Sequence, residues 1–298
     1  MIHSSPRGSV LLTGADGFTG AYARTELEAA GYTVIGAVMG APRNATEVSL
    51  DITSLADCTQ VVQKIRPDYV MHLAGISFVA HANASDFYLV NVIGTTNLLQ
   101  ALVDADVHPK RVLIASSANV YGNAAGILTE SQPAAPVNHY AVSKLAMEHM
   151  VHTWFDRLPI VMTRPFNYTG IGQSQQFLVP KIVDHFVRRA AVIELGNLDV
   201  ERDFSDVRFV ARAYRGLLEH DCAGQTINIC SGRPYTLRWI LQMMQTLSGY
   251  NIEVRINPAF VRASEVTTLV GSPIKLHSIL GQMTELPLEE TLQWMAQA

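Results

Sequence analysis

Cysteine is scarce in this chain. Its 298 residues include three, Cys58, Cys222 and Cys230. They are odd in number, far apart and out of metal-ligand spacing. A disulfide framework and a cysteine metal site are therefore not expected, and a reducing, cytoplasmic setting is. A basic excess is also missing. Twenty-two Lys and Arg against 26 Asp and Glu leave a net charge of −4, with no basic block. That argues against nucleic acid or an anionic membrane as partner. No apolar run approaches the roughly 20 residues of a membrane span. The first seven residues, Met1 to Arg7, carry no apolar leader core. Repeats and low-complexity tracts are absent as well. Hydrophobic residues make up 48% of the chain, ample for a large core. The length predicts one large domain or two intimate ones.

What is present alternates. Short buried-type runs at 9–13, 33–38, 47–50, 69–74, 111–116 and 160–163 predict strands. The stretches 18–30, 54–65, 86–105 and 138–155 predict helices. Alternation at these lengths means βαβ units, hence a Rossmann-type doubly wound parallel sheet with helices on both faces. After Arg164 the pattern loosens. Helices over 179–189, 209–219 and 237–247 and a strand at 226–230 predict a smaller α+β portion. The expected division is a dinucleotide-binding domain over 1–165, rejoined by segments around 203–230, and a mainly substrate-binding domain over 166–298. Gly122, Gly126, Pro133 and Pro136 mark an irregular segment of the kind that forms binding loops.

The first predicted strand runs straight into Thr13-Gly14-Ala15-Asp16-Gly17-Phe18-Thr19-Gly20. A strand, three spaced glycines and a helix form the context of a dinucleotide fingerprint. Gly14 permits the tight turn, Gly17 lets backbone N–H groups approach a pyrophosphate, and Gly20 permits close helix–strand packing. The end of the second strand reads Ala37-Val38-Met39-Gly40-Ala41-Pro42-Arg43, without the acid that would hold the ribose of NAD. Arg43 suits a 2′-phosphate instead, so NADPH is expected over NADH.

Tyr140-Ala141-Val142-Ser143-Lys144 places a phenol and an ammonium one helical turn apart. A phenol ordinarily titrates near 10. A neighbouring cation stabilises its phenolate, making it a usable acid toward a carbonyl that takes hydride. Ser117, just past the fifth strand, offers a hydroxyl to the same carbonyl. By contrast His149 and His152, three apart with no third ligand, predict no metal site. Trp154, Trp239 and Trp294 read as packing residues.

At these residues the sequence resembles the extended short-chain dehydrogenase/reductase family of nucleotide-sugar enzymes. The resemblance rests on Gly14, Gly17 and Gly20, Asp51-Ile52, His72-Leu73-Ala74-Gly75, Asn91, the run Ser116 to Gly122, and Tyr140 with Lys144. It implies cofactor contacts from Phe18, Asp51, Ile52, Leu73, Ala74, Gly75 and Asn91 in addition to the glycines and the Tyr/Lys pair. The runs 164–173, 196–204, 228–232 and 262–266 narrow the resemblance to GDP-6-deoxy-4-keto-D-mannose reductases, which form GDP-D-rhamnose. Ile171 and Ala263 stand where that family more often has Pro. The resemblance implies a GDP-sugar held by Asn167, Lys181, Arg202, Arg262 and Glu265, with Lys181 facing guanine O6.

Two other enzymes share this architecture, a 4,6-dehydratase and a nucleotide-sugar 4-epimerase. A 4,6-dehydratase needs an acid/base carboxylate beside the triplet, and in GDP-mannose dehydratases it stands two residues after the catalytic Ser/Thr; here that position is Asn119. An epimerising reductase carries a cysteine there and a histidine that aligns with Phe177. A ketoreductase needs neither group. A talose-forming reductase would use the same triplet on the other face of the ketone. A non-catalytic dinucleotide binder could dispense with Ser117, Tyr140 and Lys144. The family commonly pairs through the helices at 86–105 and 138–155, so a homodimer is expected, with Val92, Leu99, Met147 and Met150 as apolar residues beyond the core stripe.

Overall fold

The computed structural model describes residues 7–79, 83–124, 126–260 and 267–298. The first half runs β1 (Ser9–Thr13), α1 (Phe18–Ala29), β2 (Thr33–Val38), β3 (Glu47–Ser49), α2 (Leu55–Ile65), β4 (Tyr69–His72), α3 (Ala84–Tyr88), α4 (Thr95–Asp104), β5 (Arg111–Ala115), β6 (Ile127–Leu128), α5 (His139–His152) and β7 (Ile160–Pro165). The second runs β8 (Asn167–Thr169), α6 (Leu178–Val187), β9 (Val192–Leu195), β10 (Glu201–Asp206), α7 (Val207–Glu219), β11 (Thr226–Ile229), β12 (Pro234–Thr236), α8 (Leu237–Ser248), β13 (Glu253–Ile256), β14 (Thr268–Gly271), α9 (Ile274–Leu280) and α10 (Leu288–Ala296).

Seven strands pair in parallel in the order β11-β7-β5-β4-β1-β2-β3. Strand order reverses between β1 and β4, the switch point where α/β sheets of this Rossmann type bind ligands. Successive residues of a strand face opposite sides. Leu11, Val70, Val112 and Ile114 therefore pack under α2, α4 and α5, while Val10, Leu12, Met71 and Leu113 pack under α1 and α7. A sheet covered on both faces explains why these strands read as continuous apolar runs rather than alternating ones. β11 arrives from the second half of the chain and adds the outer strand beside β7. The other strands form a smaller sheet, β12-β10-β14-β6 with β8 on β10, and a β13-β9 pair, backed by a core of α6, α8 and α10.

Two expectations need correction. The helix expected over 86–105 is not continuous. It divides into α3 and α4 around a π-helical turn, Leu89–Gly94. The turn is held by Asn91, whose side chain is fully occupied: Oδ1 accepts from the Ile76 N–H at 3.0 Å, and Nδ2 donates to Ser143 Oγ at 3.0 Å. Ile52 crowds Gly94 at the end of the same turn, so that a Cβ there would lie 2.8 Å from it. Unbroken 3.6-residue periodicity in the sequence gave no hint of the extra residue per turn. The apolar surplus on the two expected dimer helices is also reassigned. Leu99 and Met147 are core residues, and Val92 and Met150 pack against that core. The exposed apolar residues of this face are Leu89, Ile93 and Val142.

Candidate active site

β1 delivers the chain into the glycine turn. Gly14 has a positive φ of 69°, and a Cβ on it would lie 2.8 Å from the Ala74 N–H nitrogen. A Cβ on Gly20 would strike the Gly14 carbonyl, so α1 can lie against the turn only with glycine there. Gly17 is the N-cap of α1, with no side-chain cap and no acid in the first turn. The first N–H groups of a helix have no partner within it. An uncapped, acid-free N-terminus at the switch point is thus free to take a diphosphate. Phe18 is stacked with Tyr168, whose hydroxyl bonds Thr19 Oγ1 at 2.8 Å.

Behind the turn runs a buried relay, of which the sequence marks His72 and Asn91 but not their connection. His72 bridges Thr13 Oγ1 at 2.7 Å and Thr95 Oγ1 at 3.0 Å, and Thr95 donates to the Asn91 carbonyl at 2.7 Å. Asn91 reaches Ser143, which donates to the Tyr140 carbonyl at 2.7 Å. Burial drives the His72 pKa down to about 3, so it stays neutral and bridges as donor on one side and acceptor on the other. The relay connects the glycine turn to the helix that carries Tyr140.

Asn138 caps α5 by accepting from the Ala141 N–H at 2.9 Å, which orients the first turn of the helix and with it Tyr140. Ser117, Tyr140 and Lys144 are all buried and line one cleft of about 1050 Å³. Burial pushes the Tyr140 phenol up to about 12, against the pull of its hydrogen bond with Ser117. It is therefore protonated at neutral pH, the form that can give a proton. Burial lowers Lys144 to about 8, opposed by the Glu148 carboxylate. Its Nζ donates to the Ala115 carbonyl at 2.8 Å, and a Cβ on Gly75 would lie 3.4 Å from that Nζ.

Glu148 lies one turn beyond Lys144 on the core side. Both its oxygens accept from Arg164, at 2.9 and 2.6 Å, and Oε1 also accepts from Ser116 Oγ at 2.6 Å. Arg164 further donates to Tyr121 Oη at 3.0 Å, and Tyr121 donates to Asn228 Oδ1 at 2.7 Å. The ends of β5 and β7 and, through Tyr121, β11 are tied to α5 by this one pair. Glu130, from the irregular segment, accepts from the Asn228 N–H at 2.8 Å and is not among the described residues lining the cleft.

The same cleft is lined by Gly14, Gly17, Phe18, Gly20, Leu73 and Gly75 at one end and by Asn167, Lys181 and Arg202 at the other. Lys181 Nζ donates to the Glu194 carbonyl at 2.8 Å and lies 4.8 Å from the centre of the Phe260 ring. Arg202 donates to the Glu201 and Thr267 carbonyls at 2.8 and 3.1 Å. Asn167 Nδ2 donates weakly to the Asp203 carbonyl at 3.4 Å. Arg262 and Glu265 lie outside the described residues. Arg43, Asp51, Ile52, Ala74 and Asn91 are not among the residues lining the cleft, and Asn91 is fully buried. Arg43 forks onto Glu47, with Nη2 to Oε1 at 2.7 Å, and this hydrogen-bonded pairing holds the Glu47 carboxyl down to about 2. Asp51 Oδ1 accepts from Thr53 N–H and Oγ1 at 2.9 and 2.7 Å. Glu47, Phe260 and Glu148 were missed from the sequence, because a lone glutamate, a lone phenylalanine and a buried acid on a helix carry no spacing signal. Among the described residues no cluster of His, Cys, Asp or Glu is arranged to hold a metal. No helix of the described residues is long and apolar enough to cross a membrane.

A glycine turn feeding a helix N-terminus, sharing a cleft with a Ser/Tyr/Lys set, is matched over residues 10–230 by the model of the NAD dependent epimerase/dehydratase family. The chain belongs to that family. It is 39% identical over 274 residues to a GDP-6-deoxy-D-talose 4-dehydrogenase of Aggregatibacter actinomycetemcomitans, covering 91% of each chain. A GDP-6-deoxy-D-mannose reductase of Pseudomonas aeruginosa is 33% identical, with 95% of this chain and 94% of that one covered. The structure of RMD from Pseudomonas aeruginosa complexed with NADPH superposes with a TM-score of 0.86 at 29% identity, over 97% of this chain and 98% of that one. This chain is accordingly an extended short-chain dehydrogenase/reductase, a nucleotide-sugar enzyme that works with a nicotinamide dinucleotide.

Proposed function

We propose that the protein reduces the C4 ketone of GDP-4-keto-6-deoxy-D-mannose with NADPH, forming GDP-D-rhamnose. When bound, the cofactor supplies the hydride. Gly14, Gly17, Phe18 and Gly20 receive its diphosphate, and Leu73, Ala74, Gly75 and Asn91 flank the turn. Asp51 and Ile52 serve the adenine, and Arg43 the 2′-phosphate once it turns from Glu47. Tyr140 gives its proton to the ketone oxygen, Ser117 donates a hydrogen bond to the same oxygen, and Lys144 keeps a positive charge beside them. Asn167, Lys181, Arg202, Arg262 and Glu265 hold the GDP portion, whose binding energy orients the distant ketone.

One observation carries the choice of reduction over dehydration. Among the described residues lining the cleft, the only carboxylate is Glu194. It lies on β9 with its Oε2 accepting from Asn257 at 2.8 Å, on the strand whose carbonyl holds Lys181. The position beside Ser117 is Asn119, which cannot exchange a proton at neutral pH. A dehydratase would need an acid there. Incubation with GDP-mannose and NADP⁺ should give no 4-keto product, while GDP-4-keto-6-deoxymannose should oxidise NADPH. The reverse pattern would overturn the assignment.

The name of the 39% identical relative favours a second product, GDP-6-deoxy-D-talose. It arises from the same ketone and the same triplet, by hydride delivery to the other face. We also read the exposed Leu89, Ile93 and Val142 as one face of a homodimer. A monomeric mass by light scattering at micromolar concentration would remove it.

A further inference from the structure

Ser117 opens the short helical turn Ala118–Tyr121, and one neighbour contacts its hydroxyl oxygen twice. The Asn119 backbone N–H donates to Ser117 Oγ at 3.2 Å, and Asn119 Nδ2 donates to the same atom at 3.1 Å. A serine hydroxyl has one hydrogen and two acceptor positions. With Asn119 filling both acceptor positions, the single hydrogen has one place to go. It points away from the turn, into the cleft that Ser117 and the Tyr140 phenol line together. Asn119 itself lines the cleft beside these two side chains.

We propose that Asn119 is a positioning residue that fixes the polarity of Ser117, making its hydroxyl a donor toward Tyr140 and the reacting oxygen. Ser117 is thereby prevented from drawing on the Tyr140 proton, which stays available for the ketone. An aspartate in the same place would offer only acceptors while ionised. It would draw the Ser117 hydrogen back into the turn and leave the hydroxyl facing Tyr140 as an acceptor. Alanine would remove one donor without reversing the other. The residue that stands where a dehydratase needs a carboxylate thus has a task of its own, and the two requirements exclude each other at one position. The role at the ketone rests on the reductase reading above, whereas the polarity of Ser117 does not.

The test uses the full chain with Asn119→Asp and Asn119→Ala. Both should bind NADPH like the native protein, because neither touches the glycine turn. Asn119→Ala should lower kcat about 2- to 10-fold, the worth of one neutral hydrogen bond. Asn119→Asp should fall further at pH 8, and its kcat relative to native should climb as the pH is lowered to 5. Protonation restores a donor to the carboxyl, and a merely structural gap has nothing to titrate. The second readout needs neither substrate nor cofactor. In protein labelled with [ζ-13C]tyrosine, the Tyr140 resonance, assigned with Tyr140→Phe, should move in both variants. A resonance that stays in place, or an Asn119→Asp profile parallel to native, overturns the proposal. If the resonance moves but native protein oxidises no NADPH with the 4-keto sugar, the reductase reading fails and the polarity of Ser117 stands.

Discussion

Replacing Glu148 by alanine removes the acceptor of three hydrogen bonds of 2.6 to 2.9 Å and strands the Arg164 guanidinium. Arg164 is 8% exposed and Glu148 1%, so water cannot replace the lost partner. What remains to the arginine is Tyr121, through its hydroxyl and through a ring whose centre lies 4.8 Å away. Removing one partner of a buried ion pair costs about 3–5 kcal/mol, chiefly because a charge stays buried without its counter-ion. At roughly 2 °C per kcal/mol for a chain of this size, the apparent Tm should fall by about 6–10 °C. Differential scanning fluorimetry at fixed protein concentration, with and without NADPH, measures it. The double replacement Glu148→Met, Arg164→Met should recover much of the loss, since an apolar pair of similar volume needs no counter-ion. A fall of less than 2 °C in the single variant, or a double variant worse than the single, would refute a buried pair linking the strand ends to α5.

Tyr140→Phe should cut turnover by roughly 10²–10⁴-fold, the scale of general acid catalysis; isothermal titration should find NADPH affinity nearly unchanged. Arg43→Ala should weaken NADPH by a charge-assisted contact of about 1.5–3 kcal/mol and leave NADH alone; equal losses for both cofactors would exclude Arg43 from the 2′-phosphate. Reduction consumes a proton beside Lys144, which burial holds near 8. The rate of NADPH oxidation should therefore be level below about pH 8 and decline above it. The residual activity of Lys144→Arg, charged throughout, should lack that limb.

The parallel sheet is legible in the sequence because strands buried on both faces are continuous apolar runs punctuated by glycine and caps. The glycine turn and the Tyr140/Lys144 pair are legible for a related reason. Their spacing is dictated by backbone geometry within a few residues, one tight turn in the first case and one helical turn in the second. What escaped was long-range. Nothing near His72 announces that it joins Thr13 to Thr95, 23 residues on. Glu148 meets Arg164 only because α5 and β7 pack side by side. The π turn at Asn91 was hidden for the same cause, being enforced by Ile76, Ser143 and Ile52 rather than by its own residues. Arg43 looked free in sequence, yet it already holds Glu47 four residues later.

The most direct test of the central claim follows the hydride. GDP-4-keto-6-deoxymannose is incubated with NADPH carrying deuterium at the transferred position, and the sugar product is read by NMR. Ketone reduction predicts one deuterium at C4 and none from solvent at C3 or C5; in product made with unlabelled NADPH, the H4 couplings should be rhamno or, on the second reading, talo. Label missing from C4, or solvent exchange at C3 or C5, would contradict a simple ketone reduction by Ser117, Tyr140 and Lys144.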